Sequence, residues 1–138
     1  MKVKVLLVIP GKEVQTIKIP GDMKFIKSFI GDELYRFSLS ENIEILSNKN
    51  AKFDEFNRLF RGNIILGTFI IVSTKNNHLI SMKNKDIRRY TNIFKLRKHE
   101  RKVNMYKDEF LEEYYFNKRK TKQENINKKI IKNFLIAA

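Results

Sequence analysis

The feature that most constrains the fold is an almost unbroken apolar run near the middle of the chain. Residues 64–73 read IILGTFIIVS, where only the small residues Gly67, Thr68 and Ser73 interrupt the large apolar ones. A strand with one face in water alternates apolar and polar residues, whereas a continuous apolar run is typical of a strand buried on both faces. The run therefore predicts one buried strand over 64–73, in which Gly67 marks a bulge or a close approach of backbone.

Shorter apolar segments predict the rest of a sheet. Residues 2–9 have the Val, Leu and Ile content of a central strand, and a turn at 10–12 leads into a second strand over 14–19. These two segments predict a β-hairpin. Residues 33–38 and 43–46 predict a third and a fourth strand.

Capping residues predict two helices. Asp22 is a favourable N-cap for a short helix, and Gly31 stands where a C-cap glycine belongs. One side of this helix would carry Phe25, Ile26, Phe29 and Ile30. Ser81 is predicted to cap a second helix. The buried face of the second helix would hold Ile87, Tyr90 and Phe94.

Two segments between these elements are predicted to be irregular. Residues 53–61 place apolar residues at helical spacing, but the segment is short, so it predicts a loop or one helical turn. The pair Asn76-Asn77 predicts a turn directly after the long apolar run.

The pattern changes after Phe94, since residues 95–138 contain neither Gly nor Pro. Apolar residues at Val103, Tyr106, Phe110 and Tyr114 predict one amphipathic helix, and a stripe at Ile126, Ile130, Phe134 and Leu135 predicts another. We therefore expect two parts. Residues 1–94 would form an α+β core with a small mixed or antiparallel sheet and short packing helices, and residues 95–138 a basic helical extension.

The charge balance is the strongest compositional signal. The 138-residue chain carries 29 Lys and Arg against 15 Asp and Glu, a formal net charge of +14. Such a surplus attracts polyanions such as nucleic acid, nucleotides or an acidic membrane surface. The alternative is that abundant Lys, Asn and Ile reflect an AT-biased genome. The chain has no Cys and no signal-peptide pattern or bilayer-length apolar run, so we expect a cytoplasmic location.

Several segments of the first two thirds of the chain resemble a known family. They are the opening strand running into Pro10-Gly11-Lys12, the helix end Phe29-Ile30-Gly31 with Glu33 soon after, the pair Asn57-Arg58, the run from Ile65 to Val72, and Ser81 followed by a helix that reaches Tyr90. In order and spacing they are similar to the domain-of-unknown-function family 3846. The resemblance implies a phage, plasmid or other mobile-element setting, and it implies no reaction.

The sequence offers little to catalysis or metal binding. It has no thiol nucleophile, His78 and His99 are expected to be solvated, and Gly62 and Gly67 do not form a phosphate-binding loop. The acidic cluster, which is most simply a solvated helix face, comprises Asp108, Glu109, Glu112 and Glu113. We therefore expect no enzyme activity, no cofactor and no metal. A weak third hypothesis is an enzyme site assembled from Arg58, Thr68 and Tyr90.

Three clusters of basic residues are the candidate binding sites. The first comprises Lys95, Arg97, Lys98, Arg101 and Lys102, the second Lys118, Arg119, Lys120 and Lys122, and the third Arg58, Arg61, Arg88 and Arg89. Lys and Arg neutralise phosphates, and Arg grips a phosphate with two parallel hydrogen bonds. Each cluster alone is better explained as a solvated surface, but the three together, on a chain of net charge +14, favour polyanion binding.

The leading hypothesis is a non-catalytic accessory protein of a phage or mobile element that binds nucleic acid or a nucleotide through these clusters. The alternative is an anti-defence inhibitor, such as an anti-CRISPR protein, that binds and blocks a host nuclease complex. The stripe at Ile126, Ile130, Phe134 and Leu135 would dock on the protein's own core, a second copy, a foreign protein or an anionic membrane.

Overall fold

A computed structural model describes residues 1–52, 55–98 and 100 of the chain. Within these residues the protein forms eight strands and two helices. In chain order they are β1 (Lys2–Val8), β2 (Gln15–Pro20), α1 (Met23–Ile30), β3 (Leu34–Ser40), β4 (Ile43–Asn48), β5 (Phe56–Phe60), β6 (Asn63–Leu66), β7 (Phe69–Lys75), β8 (His78–Ile80) and α2 (Asn84–Ile93).

Six of the strands form one antiparallel sheet in the order β2-β1-β7-β4-β3, with β8 paired to the far end of β7. The predicted hairpin at the start of the chain is confirmed, since β1 and β2 pair in the register Val5 opposite Ile17. Strand β7 lies between β1 and β4, where Ile71 is opposite Leu6 on one side and Ile45 on the other. The α+β class is thus confirmed in its antiparallel form.

Both faces of the sheet are covered, which explains why β7 is apolar along its length. One face packs Ile70 and Val72 against α1, whose Ile26 and Ile30 are buried there. The other face packs Phe69 and Ile71 against α2 and the β5–β6 hairpin. Strand β7 therefore contributes side chains to two hydrophobic cores, one on each face of the sheet. Burying each such side chain stabilises the fold by about 1.5–3 kcal/mol.

The prediction of one strand over residues 64–73 is wrong, because the run is divided at Gly67. Its first part is β6, which pairs with β5 in a separate two-stranded sheet, and its second part is β7. Gly67 has a φ of 73°, and its N–H donates to the carbonyl of Glu55. A Cβ at Gly67 would lie 3.1 Å from Glu55 and 3.2 Å from Ala51. The predicted close approach is confirmed, and the chain bends at Gly67 as it passes from the two-stranded sheet into the six-stranded one.

The prediction of an irregular segment over residues 53–61 is also wrong. Residues Phe56–Phe60 form β5, which pairs with β6 through a tight turn at Arg61-Gly62. Phe56 is buried together with β6, and this pairing overrides the helical spacing of the segment. A short strand whose sequence does not alternate clearly between apolar and polar residues can be recognised only once the strand that pairs with it is known.

Helix α1 has the predicted caps. Asp22 Oδ1 accepts a hydrogen bond of 2.7 Å from the N–H of Phe25, and the N–H of Gly31 donates to Lys27 at 3.0 Å. Gly31 has a φ of 156°, and a Cβ there would lie 2.6 Å from Asn48 Cγ. The glycine is therefore required both by the cap and by the adjacent strand.

Helix α2 begins later than predicted. Its N-cap is Lys83, whose side chain makes no capping hydrogen bond. Ser81 Oγ instead accepts a hydrogen bond of 2.9 Å from the N–H of Lys4, because β8 intervenes after the turn at residues 76–77. The predicted inner face is confirmed for Tyr90 and Phe94, which are buried.

The predicted extension lies mostly outside the described residues, so its two amphipathic helices and the division near Lys95 stay predictions. The described residues just past this point pack on the core, where Leu96 and Glu100 are both buried. No helix in the described part of the chain is long and apolar enough to cross a bilayer.

Candidate polyanion-binding surface

Arg58 is buried, with 1% of its surface exposed, although its sequence neighbourhood predicted a surface patch with Arg61, Arg88 and Arg89. Its guanidinium donates from Nε to the carbonyl of Phe94 at 3.0 Å, from Nη1 to Asn57 Oδ1 at 2.9 Å, and from Nη2 to the carbonyl of Lys12. Arg58 is therefore corrected from a surface contact to an internal connector between β5, the turn after β1 and the end of α2.

Asn57 extends this connection in the opposite direction. Its Nδ2 donates to the carbonyl of Val8 at 2.9 Å and to the carbonyl of Gly67 at 2.7 Å. The side chain is fully buried, so both donors replace hydrogen bonds that water would otherwise supply. The pair Asn57-Arg58 thus joins the end of β1, the bend at Gly67 and the C-terminal end of α2.

Two carboxylates hold the segment that follows α2. Glu100 Oε2 accepts from the N–H of Leu59 at 2.8 Å, and its Oε1 accepts from the N–H of Arg97 at 2.9 Å. Glu13 Oε1 accepts from the N–H of Leu96 at 2.9 Å. Two acids therefore hold the described backbone around residues 96–97, in the first half of the first predicted basic cluster, against the core.

The electrostatics of this region are governed by the buried guanidinium. Burial lowers the pKa of Arg58, and the negative charges of Glu100 and Glu13 oppose that shift. An arginine remains protonated at neutral pH even after a lowering of this kind, because its ordinary pKa is so high. The buried guanidinium below α2 therefore stays positively charged beside two hydrogen-bonded glutamates, of which Glu100 is buried and Glu13 is exposed.

Two open grooves flank the C-terminal half of α2. The first groove has a volume of about 500 Å³ and lies between α2 and β2. It is lined by Glu13, Val14, Thr16, Ile87, Arg88, Thr91, Asn92 and Lys95. The second groove, of about 520 Å³, lies between α2 and the β5–β6 turn. It is lined by Leu59, Phe60, Arg61, Gly62, Asn92, Ile93 and Arg97.

Each groove carries two exposed cations, and Asn92 lines both. Arg88 and Lys95 belong to the first groove, and Arg61 and Arg97 belong to the second. Arg88 and Asn92 are four residues apart on α2, so their side chains share one helix face. We call the four cations with Asn92 the cationic surface.

The structure thus unites parts of two predicted clusters. The cationic surface takes Lys95 and Arg97 from the first cluster and Arg61 and Arg88 from the third. Lys98 is also exposed, and the guanidinium of Arg89 lies over the ring of Tyr90, 5.6 Å from its centre. The remaining predicted residues lie outside the described part of the chain: Arg101, Lys102, Lys118, Arg119, Lys120, Lys122, Ile126, Ile130, Phe134 and Leu135.

A third groove, of about 510 Å³, lies at the opposite end of α2. It contains the cations Lys75, Lys83 and Lys85, none of which the sequence singled out, but also the acids Glu41 and Asp86. Its two acids offset two of its three cations, as Glu13 offsets one of the two cations in the first groove. The second groove, which has two cations and no acid among its lining residues, is therefore the most favourable of the three for a polyanion.

The enzyme hypothesis stays a prediction, and no hydrogen bond of Arg58 supports it. The hydrogen bonds of Arg58 run to Phe94, Asn57 and Lys12, and none of them reaches Thr68 or Tyr90. His78 is exposed at the start of β8, and His99 is outside the described residues. Within the described residues no group of His, Asp and Glu is placed to hold a metal ion.

Sequence reasoning missed Glu13, Asn92 and Glu100. Glu100 accepts from the N–H of Leu59 and Glu13 from the N–H of Leu96, in both cases more than 40 positions away in the sequence. No sequence pattern marks a carboxylate that binds such distant backbone groups. Asn92 had a detectable signal, since it follows Arg88 by one helical turn, which places the two side by side on a predicted helix.

Comparison with known proteins places this fold in a family. Residues 1–95 match the family described as Domain of unknown function (DUF3846). No curated protein and no solved structure shows significant similarity to the chain. The matched segment spans all eight strands and both helices, and it covers well over half of the chain. The protein therefore belongs to the DUF3846 family, as the resemblance in its sequence predicted.

Proposed function

We propose that this protein is a non-catalytic binding protein that holds nucleic acid or a nucleotide on the cationic surface around the C-terminal half of α2. The observation that carries the proposal is the meeting of two grooves, each with two exposed cations, at the single amide side chain of Asn92. Cations arranged in this way neutralise successive phosphates and release their counterions.

The polar and apolar groups of the first groove also fit a nucleotide. Val14 and Ile87 are half-buried apolar side chains, and Thr16 and Thr91 add hydroxyl groups beside them. A volume of about 500 Å³ lies within the range of small-ligand sites, which combine apolar walls with a few polar groups. The amide of Asn92 both donates and accepts, so it suits a phosphate or a base edge.

The C-terminal end of a helix repels anions, because its macrodipole is negative there. In this protein the buried guanidinium of Arg58 donates to the carbonyl of Phe94 at the C-cap of α2. This contact places a positive charge against the negative end of the helix. It offsets part of the negative potential of the helix end, and the exposed cations of the two grooves supply the rest of the attraction for a phosphate.

The test is a comparison of two charge-matched double variants by fluorescence anisotropy with a labelled oligonucleotide over a range of salt concentrations. The variant Arg88→Gln/Lys95→Gln removes both cations of the first groove. The variant Lys24→Gln/Lys27→Gln removes two exposed cations from α1, on the opposite face of the sheet.

We expect the first variant to weaken binding at least about tenfold at low salt and to lower the salt slope by about 1–2, since each lost phosphate contact removes about 0.7–0.9 from it. The α1 variant should change the affinity by less than about threefold, because exposed charges farther than a Debye length from the ligand are screened. Equal losses of affinity in both variants would show that only net charge matters, and would refute the assignment of binding to the cationic surface. Wild-type protein that binds no oligonucleotide or nucleotide at low salt would refute the proposal as a whole.

The inhibitor hypothesis uses the same surface differently, either to occupy a groove built for nucleic acid in a host nuclease complex or to bind the guide RNA of that complex. No contact within the described residues favours it over direct binding of nucleic acid. A pull-down from host lysate with and without nuclease treatment separates the two, since a partner retained after digestion supports direct inhibition. The mobile-element setting and the cytoplasmic location stay predictions.

A further inference from the structure

Arg61 occupies a backbone position at which arginine is unusual. It is the first residue of the two-residue turn between β5 and β6, with a φ of 51°, and Gly62 follows with a φ of 78°. A turn with two positive φ values strongly favours Asn, Asp or Gly at its first position. Residues held in sparsely populated backbone regions cluster at functional sites, so the side chain of Arg61 merits a functional explanation.

The side chain of Arg61 ends a column of aromatic rings. Its guanidinium carbon lies over the ring of Phe60, 4.8 Å from the ring centre. The rings of Phe60 and Phe94 are 5.0 Å apart at an interplanar angle of 33°, and Phe94 meets Phe69 of β7 edge-on at 5.5 Å. The column therefore runs from the central strand to the second groove, where Arg61 is exposed.

We propose that the guanidinium of Arg61 is a stacking platform for an unpaired base, and that the ligand of the cationic surface is therefore single-stranded nucleic acid. This inference rests on the proposed function and names its substrate class. A guanidinium plane stacks on bases much as an aromatic ring does, and the faces of bases are accessible only where the strand is unpaired. Arg97, exposed in the same groove, would meet the adjacent phosphate.

A purely electrostatic surface would not need this arrangement. For a phosphate alone a lysine supplies the same charge on a more adaptable stem, whereas stacking requires the planar group. The ring of Phe60 holds that plane in place before the ligand arrives, which lowers the conformational entropy lost on binding. The substitution that distinguishes the two explanations is therefore Arg61→Lys, which keeps the charge and removes the plane.

The experiment measures the affinity of the full chain for three fluorescein-labelled probes at low salt. The probes are a single strand of about 12 nucleotides, within the usual site size of such proteins, the duplex of the same sequence, and the same single strand made fully abasic. We expect the wild type to prefer the single strand over the duplex. Arg61→Lys should weaken binding of the single strand about tenfold and change binding of the duplex and the abasic strand by less than about threefold.

A matched control makes the same substitution outside both grooves. Arg36→Lys, at an exposed position of β3, should leave the affinity for the single strand within about threefold of wild type, because Arg36 lines neither groove. Arg61→Asn is the second variant, chosen because Asn suits the turn and the protein should remain folded. It removes both the charge and the plane, so it should bind the single strand more weakly than Arg61→Lys.

The outcomes separate the two proposals. If the wild type binds none of the three probes and no labelled mononucleotide, the proposed function itself fails, and if it binds only the mononucleotide, the single-strand inference alone is overturned. If the wild type binds them but Arg61→Lys binds the single strand as well as wild type, or loses the duplex equally, only the stacking inference is overturned. A folded Arg61→Asn variant with wild-type affinity for the single strand would overturn it as well.

Discussion

The Nε–H of Arg58 donates a hydrogen bond of 3.0 Å to the carbonyl oxygen of Phe94, so a side chain from strand β5 closes the C-terminal end of helix α2. The same guanidinium reaches Asn57 and Lys12, and it thereby holds three separate parts of the chain together. Three predictions test Arg58, Glu100 and Gly67 in this part of the fold. A fourth tests the N-cap of α1 on the opposite face of the sheet.

Replacing Arg58 by lysine should destabilise the protein by about 2–4 kcal/mol, because one amine cannot satisfy the three sites that the planar fork serves and buried carbonyls lose their donors. The measurement is urea denaturation followed by circular dichroism. The control is Arg36→Lys, whose exposed ion pair with Glu44 should contribute less than about 1 kcal/mol. Equal losses for the two substitutions would contradict an internal role for Arg58.

Replacing Glu100 by glutamine should loosen the segment that follows α2. Both carboxylate oxygens accept backbone N–H groups, from Leu59 and Arg97, and an amide offers only one oxygen. We expect a loss of about 1–3 kcal/mol for the unsatisfied N–H and faster amide exchange at these two positions. Glu41→Gln, at an exposed site, is the control. Unchanged exchange at both amides would show that the carboxylate does not hold the segment.

Replacing Gly67 by alanine should be more damaging than replacing Gly62. Both glycines have similar positive φ values, 73° and 78°, so an alanine meets comparable backbone strain at each. A Cβ at Gly67 also meets Glu55 and Ala51, whereas nothing lies within 4 Å of one at Gly62. We expect about 1 kcal/mol for Gly62→Ala and about 2–4 kcal/mol for Gly67→Ala, measured as the shift in the urea midpoint. Similar shifts would mean that the close approach at Gly67 is easily relieved.

Replacing Asp22 by alanine should cost about 1 kcal/mol, because the N–H of Phe25 loses its acceptor at the start of α1. Asp22→Asn retains a side-chain oxygen and should stay within about 0.5 kcal/mol of wild type. Thermal unfolding of the three proteins in the same buffer distinguishes the outcomes. A similar loss for both variants would indicate that the charge of Asp22, and not its hydrogen bond, stabilises the helix.

Local patterns in the sequence predicted the local parts of the fold. The apolar segments at 2–9, 14–19 and 43–46 were recognised as strands, since each carries enough β-branched residues to indicate its state without a partner. Asp22 and Gly31 correctly bounded α1, because capping depends on contacts only three or four residues away. The same reasoning was wrong at Ser81, whose Oγ accepts a hydrogen bond from the N–H of Lys4 in β1, 77 positions earlier in the sequence.

The sequence by itself determined an α+β domain with a buried apolar strand, and its charge predicted a polyanion as the partner, whereas the antiparallel pairing of the strands was decided by the tertiary structure. Only the tertiary structure decided that Arg58 is buried. It also decided that Arg61, Arg88, Lys95 and Arg97 lie together in the cationic surface. The physical reason is that periodicity records which residues avoid water. It does not record which distant carbonyl oxygen will satisfy a guanidinium, and that contact decides whether the charge is buried or exposed.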